Sequence, residues 1–156
     1  MRIVVFADSH GKTFRLKRIM EAQPKADCYI HLGDGYDDAL ELRAAFPKAN
    51  ILAVVGNCDY NSLDVDTKLF EAAGKRIVYT HGHRFGVNGS MDRLVRLAAD
   101  KSADIVLFGH THIPFFAVKD DVYYLNPGNA NAYDAVKFAT IDILKDNVVC
   151  NLTELK

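Results

Sequence analysis

Two histidines, His110 and His112, follow directly on a short apolar run. That run, residues 104–108, reads Asp-Ile-Val-Leu-Phe and is typical of a buried strand. Imidazoles two residues apart just past a strand end can turn toward one centre, and Gly109 between the strand and His110 lets the backbone come close. Because histidine is the commonest protein metal ligand, the spacing indicates a metal site.

Further donors follow other apolar runs in the same way. Seven candidate metal ligands lie within a few residues of the carboxyl end of a predicted strand: Asp8, His10, Asp34, Asn57, His81, His110 and His112. Seven oxygen and nitrogen donors exceed what one ion usually takes from a protein, and they suit two ions about 3.5–4 Å apart. Asp34 follows the middle one of the first three predicted strands and is the natural bridging carboxylate. Such a pair of ions clamps the attacking and leaving oxygens of a phosphoryl displacement and activates a shared water or hydroxide.

Strands and helices that alternate in the first third of the chain would position these donors. The predicted strands are 2–6, 27–32 and 51–55, and the predicted helices are 13–23 and 36–46, stopped by Pro24 and Pro47. This alternation predicts a parallel sheet with crossover helices. The carboxyl ends of its strands then line one crevice, which is where ligands bind in open α/β sheets.

The pattern changes after residue 60. We predict a hairpin of strands 67–72 and 75–80, a helix at 90–101 with Ser90 as N-cap, and the strand 104–108. The last four predicted strands are 115–118, 122–125, 136–144 and 148–152, with turns such as 145–147 between them. They are interpreted as one antiparallel meander. The chain is predicted to be a single domain, 1–156, with two sheets packed face to face and helices outside.

Five short motifs in this order closely resemble the calcineurin-like metallophosphoesterases, and most of all their small single-domain bacterial and archaeal phosphodiesterases. The motifs are Asp8-Ser-His10, Gly33-Asp34, Gly56-Asn57-Cys-Asp59, His81-Gly-His83 and Gly109-His-Thr-His112. The resemblance covers residues 1–128, because Leu125-Asn-Pro-Gly128 is also similar. It implies an α/β fold, a four-layer α/β/β/α sandwich of two mixed sheets flanked by helices.

The resemblance also implies a ligand set for two divalent ions. It assigns the first ion to Asp8, His10, Asp34 and His112, and the second to Asp34, Asn57, His81 and His110. These oxygen and nitrogen donors suit manganese, and zinc, iron or nickel can compete for them.

Cys58 departs from the wider family, in which many members have a histidine directly after the motif asparagine. That histidine is thought to protonate the leaving group. A thiol is a weak proton donor, and we expect Cys58 only to fill space, although it stays a candidate acid. His83 is the other candidate for the catalytic acid. His83 and Asn57 are also candidates for binding the substrate.

Other polar residues are expected to have structural roles. His31 alternates with Tyr29 inside a strand and is predicted to lie in the core. Asp37 and Asp38 begin a helix, where carboxylates favour the helix dipole, so they are not counted as ligands. Asn126 and Asn129 flank a Pro-Gly pair, which predicts that their first role is in the turn.

Composition narrows the class of protein. The chain has 156 residues, of which 49% are hydrophobic and 25% charged, as in ordinary globular domains. A net charge of −1 and a pI of 6.6 give no electrostatic basis for general nucleic-acid binding. Three separated cysteines indicate reduced thiols, and no apolar run is long enough to span a bilayer. We therefore expect a cytoplasmic protein without membrane contact, and the sequence leaves its oligomeric state open, homo-oligomers included.

These observations favour a metal-dependent phosphodiesterase acting on a small phosphodiester. One alternative is a non-catalytic, protein-binding scaffold of the same fold. A scaffold can lose ligands without penalty, whereas all seven candidate positions hold competent donors here. A nuclease is a further alternative, for which we would expect a basic face or a capping domain, and the sequence indicates neither.

Overall fold

The computed structural model describes residues 1–60, 62–145 and 147–156. The strands are β1 Arg2–Phe6, β2 Cys28–His31, β3 Ile51–Ala53, β4 Thr67–Ala72, β5 Lys75–Thr80, β6 Ile105–Leu107, β7 Phe115–Lys119, β8 Val122–Asn126, β9 Val136–Leu144 and β10 Asn147–Leu155. The helices are α1 Thr13–Ala22, α2 Tyr36–Ala45 and α3 Asp92–Lys101, with a short 3₁₀ turn at His83–Phe85. Every predicted strand and helix is therefore present, with ends that differ by one or two residues in most cases.

The strands form two five-stranded mixed sheets. The first has the order β10-β9-β1-β2-β3, in which β1, β2 and β3 are parallel and β9 is antiparallel to β1. The second has the order β4-β5-β6-β8-β7, in which β5, β6 and β8 are parallel. The parallel strands place their carboxyl ends at one edge of each sheet, as the alternating pattern predicts.

The interpretation of the last four strands as one meander is wrong. They form two hairpins in different sheets: β7 and β8 extend the second sheet, whereas β9 and β10 return to the first. Strands that follow each other in sequence pair as predicted, β7 with β8 and β9 with β10, but the sheet that each hairpin joins depends on pairing with β6 or β1. The predicted turn 145–147 includes Asp146, which lies outside the described residues.

Three apolar layers hold the fold together, so that the molecule is the α/β/β/α sandwich that the resemblance implies. Between the sheets, residues such as Ile30 and Ile105 are fully buried. On the outer face of the first sheet, Phe6 packs in the layer that contains α1 and α2 residues. On the outer face of the second sheet, Val106 packs with Leu94 of α3. Both faces of the parallel strands are covered, which explains their unbroken apolar sequence.

The start of α3 differs from the prediction. The helix begins at Asp92 with Met91 as N-cap, and Ser90 lies one residue before the cap. The Ser90 hydroxyl oxygen accepts a hydrogen bond from the Asp92 backbone N–H at 3.1 Å. Ser90 thus satisfies the first N–H group of the helix, although it lies outside the N-cap position. Within the described ranges, no helix has the length and apolar character that crossing a bilayer requires.

Candidate metal centre

The seven predicted donors meet at one edge of the sandwich. They lie on the loops that follow β1, β2, β3, β5 and β6, so five separate segments contribute to one cluster. The strand ends bring these loops together, because both sheets present their parallel strands to this edge. Sequence reasoning thus names residues that the fold assembles at a single place.

One group of donors surrounds Asp8. Ligand atoms of Asp8, His10 and His112 all lie within 4.8 Å of one another. Oδ1 of Asp8 is 3.4 Å from Nε2 of His112, and the centroids of the two imidazole rings are 5.6 Å apart. A carboxylate oxygen and two imidazole nitrogens at these distances can share one divalent ion.

A second group surrounds His81, which is fully buried. Its Nε2 is 3.1 Å from Oδ1 of Asn57, and its ring centroid is 5.1 Å from that of His110. Its Nδ1 lies 2.8 Å from the Leu32 carbonyl oxygen and donates a hydrogen bond to it, which leaves the Nε2 lone pair facing the cluster. Orientation of a ligand histidine through its other nitrogen is the usual arrangement in metal sites.

Asp34 lies between the two groups. Its Oδ2 is 3.5 Å from Nε2 of His81 and 3.9 Å from Nε2 of His10, so the same oxygen faces one donor of each group. Its Oδ1 accepts a hydrogen bond from the Cys58 backbone N–H at 2.8 Å. Asp34 also comes within 4.8 Å of Asp8 through its ligand atoms. This is the position that a carboxylate shared by two ions would occupy.

The backbone of the cluster is strained. Five of the seven donors have positive φ values, which L-residues rarely adopt: Asp8 (57°), His10 (46°), Asp34 (54°), His110 (68°) and His112 (60°). Backbone hydrogen bonds hold these loops to one another. The Asp8 N–H donates to the Gly33 carbonyl oxygen at 3.0 Å, and the His10 N–H donates to the Asp34 backbone carbonyl oxygen at 2.9 Å. Such strain is typical of functional sites and persists where surrounding contacts enforce it.

Two glycines allow the loops to approach one another. A Cβ at Gly56 would lie 2.1 Å from Oδ1 of Asp34, and a Cβ at Gly109 would lie 3.0 Å from the Cβ of Ala7. The close approach expected at Gly109 is therefore confirmed. The need for glycine is stricter at position 56, because a side chain there would clash with the Asp34 carboxylate and displace it from the centre of the cluster.

The electrostatics of the cluster call for a cation. Asp8 is fully buried, and its Oδ1 has no hydrogen-bond partner among the described residues. Burial and the neighbouring Asp34 carboxylate raise the pKa of Asp8 to about 8. Burial also lowers the pKa of His81 to about 4, so this imidazole is neutral at pH 7 and does not balance the carboxylates. An unpartnered buried carboxylate oxygen close to the neutral imidazole of His81 fits a divalent metal ion.

Comparison with known proteins identifies the family. The model of the calcineurin-like phosphoesterase superfamily domain matches residues 1–146. The chain belongs to this superfamily. Its members hydrolyse phosphoesters with divalent metal ions, and this protein is accordingly a metal-dependent phosphoesterase.

Individual relatives agree with that assignment. The chain is 33% identical to the probable metallophosphoesterase YsnB of Bacillus subtilis over 131 residues, which cover 83% of this chain and 75% of YsnB. It is 26% identical to the phosphodiesterase YfcE of Escherichia coli K12, over 96% of this chain and 90% of YfcE. A crystal structure of a predicted phosphoesterase from Streptococcus pneumoniae superposes with a TM-score of 0.83 at 26% identity, covering 98% of this chain and 88% of that one.

Both candidate catalytic acids of this phosphoesterase lie beside the cluster. The ring centroid of His83 is 5.3 Å from that of His81 and 6.2 Å from that of His110. Cys58 is exposed, and its Sγ lies within 4.8 Å of ligand atoms of His10 and Asp34. Partial burial and the nearby Asp34 carboxylate raise the pKa of the Cys58 thiol to about 11, so the thiol keeps its proton at pH 7. Their roles in the phosphoesterase reaction stay predictions.

A buried polar chain supports the loop of Asp8 and His10, and sequence reasoning missed its role. His31 is in the core, as predicted, and burial lowers its pKa to about 4. Its Nδ1 accepts the Gly33 N–H at 3.1 Å, which leaves the proton on Nε2, 2.8 Å from the Ser9 hydroxyl. Ser9 in turn donates to Oδ2 of Asp38 at 2.5 Å. Asp38 lies in the first turn of α2, as predicted, but its carboxylate turns inward to hold this loop of the phosphoesterase.

Two asparagines support the loop of His110 and His112. The buried Asn126 accepts the Gly128 N–H at 2.9 Å, which confirms its predicted turn chemistry, and its amide also donates to the Gly109 carbonyl at 2.9 Å. The amide nitrogen of Asn129 lies 3.1 Å from Nδ1 of His112. The Leu125-Asn-Pro-Gly128 motif is the sequence signal for this support, but the motif does not show which loop it contacts.

Two of the seven donors, His10 and Asp34, line a shallow cleft of about 210 Å³ together with Cys58. A larger groove of about 720 Å³ lies beside Met20 and Phe46, at the C-terminal ends of α1 and α2. That groove is at the opposite end of the first sheet from the donors. The smaller cleft is the candidate active site of this phosphoesterase, because two of the donors and the candidate acid Cys58 form part of its walls.

Metal binding is expected to release a proton near neutral pH. In the metal-free protein Asp8 is protonated below its raised pKa of about 8, and an ion that binds to Asp8 displaces that proton. Apparent metal affinity should therefore fall by about tenfold per pH unit as the pH decreases from 8 to 6.5. Calorimetric titration at pH 7 in two buffers of different ionisation enthalpy measures the protons released. Release of no proton by wild type would contradict the raised pKa of Asp8, and Asp8→Asn is the control that removes the titrating group.

Proposed function

We propose that this phosphoesterase is a single-domain phosphodiesterase that uses two divalent ions, manganese first among them, to hydrolyse small phosphodiesters. The observation that carries the proposal is the position of Asp34, whose Oδ2 faces His10 of one donor group and His81 of the other. One carboxylate between two sets of oxygen and nitrogen donors suits a pair of ions better than a single one. The proposed first set is completed by Asp8 and His112, and the second by Asn57 and His110.

The residues of the site would have different roles in hydrolysis. Two ions bound here would polarise the phosphoryl oxygens and lower the pKa of a water molecule. Asp34 would fix the separation of the ions, and the Leu32 carbonyl would keep His81 in the tautomer that presents Nε2. Asn57 is the most exposed oxygen donor of the second set and could also contact a phosphate oxygen, as could His83 on the neighbouring loop.

The residue after Asn57 favours a diester substrate. Cys58 occupies the position where many relatives have the histidine that is thought to protonate the leaving group. A thiol with a pKa of about 11 is a weak acid for this task. A diester with an acidic leaving group needs the least help from a general acid. The name of YfcE, a phosphodiesterase, is in keeping with this substrate class.

The scaffold and nuclease alternatives are tested by the same experiment. The purified protein is expected to contain or bind about two divalent ions per chain, measured by elemental analysis and by manganese titration. Manganese should support hydrolysis in a panel of aryl diesters, cyclic nucleotides and dinucleotides. A folded protein that binds no ion, as judged by circular dichroism and titration, would refute the proposal and favour the scaffold. A marked preference for polynucleotides over small diesters would favour the nuclease.

A further inference from the structure

Three successive residues in the loop after β2 have positive φ values: Gly33 (94°), Asp34 (54°) and Gly35 (147°). Backbone of this kind can direct successive N–H groups to one side, where they form a concave binding site for an anion. This turn leads directly into α2, whose N-cap, Gly35, has no side chain that could accept a hydrogen bond from the first N–H groups of the helix. This turn therefore needs an acceptor from elsewhere in the chain.

The carboxylate of Asp59 is that acceptor. Its Oδ1 accepts hydrogen bonds from the N–H groups of Gly35 and Tyr36, both at 2.9 Å. Its Oδ2 accepts the N–H of Asp34 at 2.9 Å and the N–H of Gly56 at 2.7 Å. Four hydrogen bonds to one carboxylate are charge-assisted and stronger than bonds between neutral groups.

These bonds join the two loops that carry Asp34 and Asn57. Asp59 lies two residues after Asn57, and it holds the backbone of Asp34. The connection is reciprocal, because the Cys58 N–H donates to Oδ1 of Asp34 at 2.8 Å. Each loop thus contributes a carboxylate that the backbone of the other binds.

We propose that Asp59 is a positioning residue that holds Asp34 in place between the two ion sites. The inference rests on the proposed function, in which Asp34 bridges two ions. Without the Asp59 carboxylate, three consecutive N–H groups lose their acceptor, and the strained conformation of Asp34 loses the contacts that enforce it. The bridging oxygen then moves away from the place where it faces both His10 and His81.

The test compares the variants Asp59→Ala and Asp59→Asn with wild type and with the control Asp64→Asn. Asp64 is a nearby carboxylate that binds the Tyr36 hydroxyl at 2.8 Å and the Lys68 ammonium at 2.6 Å rather than the backbone of the metal loops. Manganese titration should show an affinity that is about 10–100-fold weaker in both Asp59 variants, which is the usual cost of losing an outer partner of a ligand. The EPR signal of the exchange-coupled manganese pair should change in the same variants, since the coupling depends on the bridging atoms.

Added formate provides a readout that general loss of structure would not give. In Asp59→Ala the N–H groups of residues 34–36 and 56 are left with space for a small carboxylate. Formate should therefore restore manganese affinity and activity toward wild-type levels in Asp59→Ala, and should restore neither property in Asp59→Asn, whose amide still fills the space. Formate should have no such effect on wild type or Asp64→Asn.

The outcomes separate this inference from the proposed function. If wild type binds a single uncoupled ion, the proposed dinuclear function is wrong. If wild type binds a coupled pair and both Asp59 variants bind it equally well with an unchanged EPR signal, Asp59 is structural only and the inference is wrong. Should Asp59→Ala fail to fold, Asp59→Asn keeps the side-chain shape and decides the question through affinity and coupling.

Discussion

Replacement of Asp34 with alanine is expected to remove nearly all phosphoesterase activity and to weaken the binding of both ions. The reason is geometric, because Oδ2 of Asp34 faces a donor of each proposed ion site. The loss of activity should exceed the roughly 100-fold that removal of an outer ligand partner can cost. Manganese titration and steady-state hydrolysis of an aryl diester measure the two effects.

The matched control is Asp37→Ala, three residues further along the chain. Asp37 is exposed in the first turn of α2, so its loss should change activity little. Alanine at position 34 must adopt a φ of 54°, which costs about 1–2 kcal/mol. Circular dichroism therefore has to establish folding, and Asp34→Asn supplies a residue that tolerates this backbone. Equal losses in the Asp34 and Asp37 variants would show that the bridging carboxylate is assigned wrongly.

Replacement of Cys58 with histidine is expected to raise the rate for diesters with poor leaving groups and to leave activated aryl diesters nearly unchanged. The thiol lies beside Asp34 and keeps its proton at pH 7, but with a pKa of about 11 it is a much weaker general acid than an imidazole. An imidazole at this exposed position can supply general acid catalysis, which is typically worth about 10²–10⁴-fold. Leaving-group dependence at saturating manganese, from nitrophenyl to alkyl esters, measures the effect.

The variant Cys58→Ala distinguishes a thiol that only fills space from a thiol that acts as the general acid. If the side chain only fills space, this variant should follow the wild-type dependence on leaving-group acidity. A large loss confined to poor leaving groups, with manganese still bound, would identify the thiol as a working acid. In that event His83, whose ring lies near those of His81 and His110, would no longer be needed as the alternative donor.

Most of the fold is predictable from the sequence because its signals are local. Unbroken apolar runs identify strands covered on both faces, and Pro24 and Pro47 mark helix ends that the structure places within one or two residues. The error in the last four strands has a physical cause, since a hairpin turn does not encode the sheet edge to which the hairpin binds. That choice depends on pairing across the whole chain, such as β9 with β1.

The candidate site is likewise predictable where its sequence signals are local and unpredictable where distant residues meet. The seven donors are recognisable because each follows a strand whose end the fold brings to one edge. Their supporting residues are less visible, since a helix-start aspartate such as Asp38 and a core histidine such as His31 have ordinary structural explanations. Asp59 is part of a motif, but only the structure shows that four backbone N–H groups surround its carboxylate.

The return of β9 to the first sheet has a consequence for synthesis of the protein. All seven donors precede β9 in the chain, so the ribosome releases the metal-binding loops while one edge of β1 still lacks its partner. An unpaired apolar strand edge is a template for aggregation, and contacts between distant residues form slowly. The hairpin of β9 and β10 therefore completes the first sheet late, and it protects the edge of β1 only after all seven metal-binding donors have been synthesised.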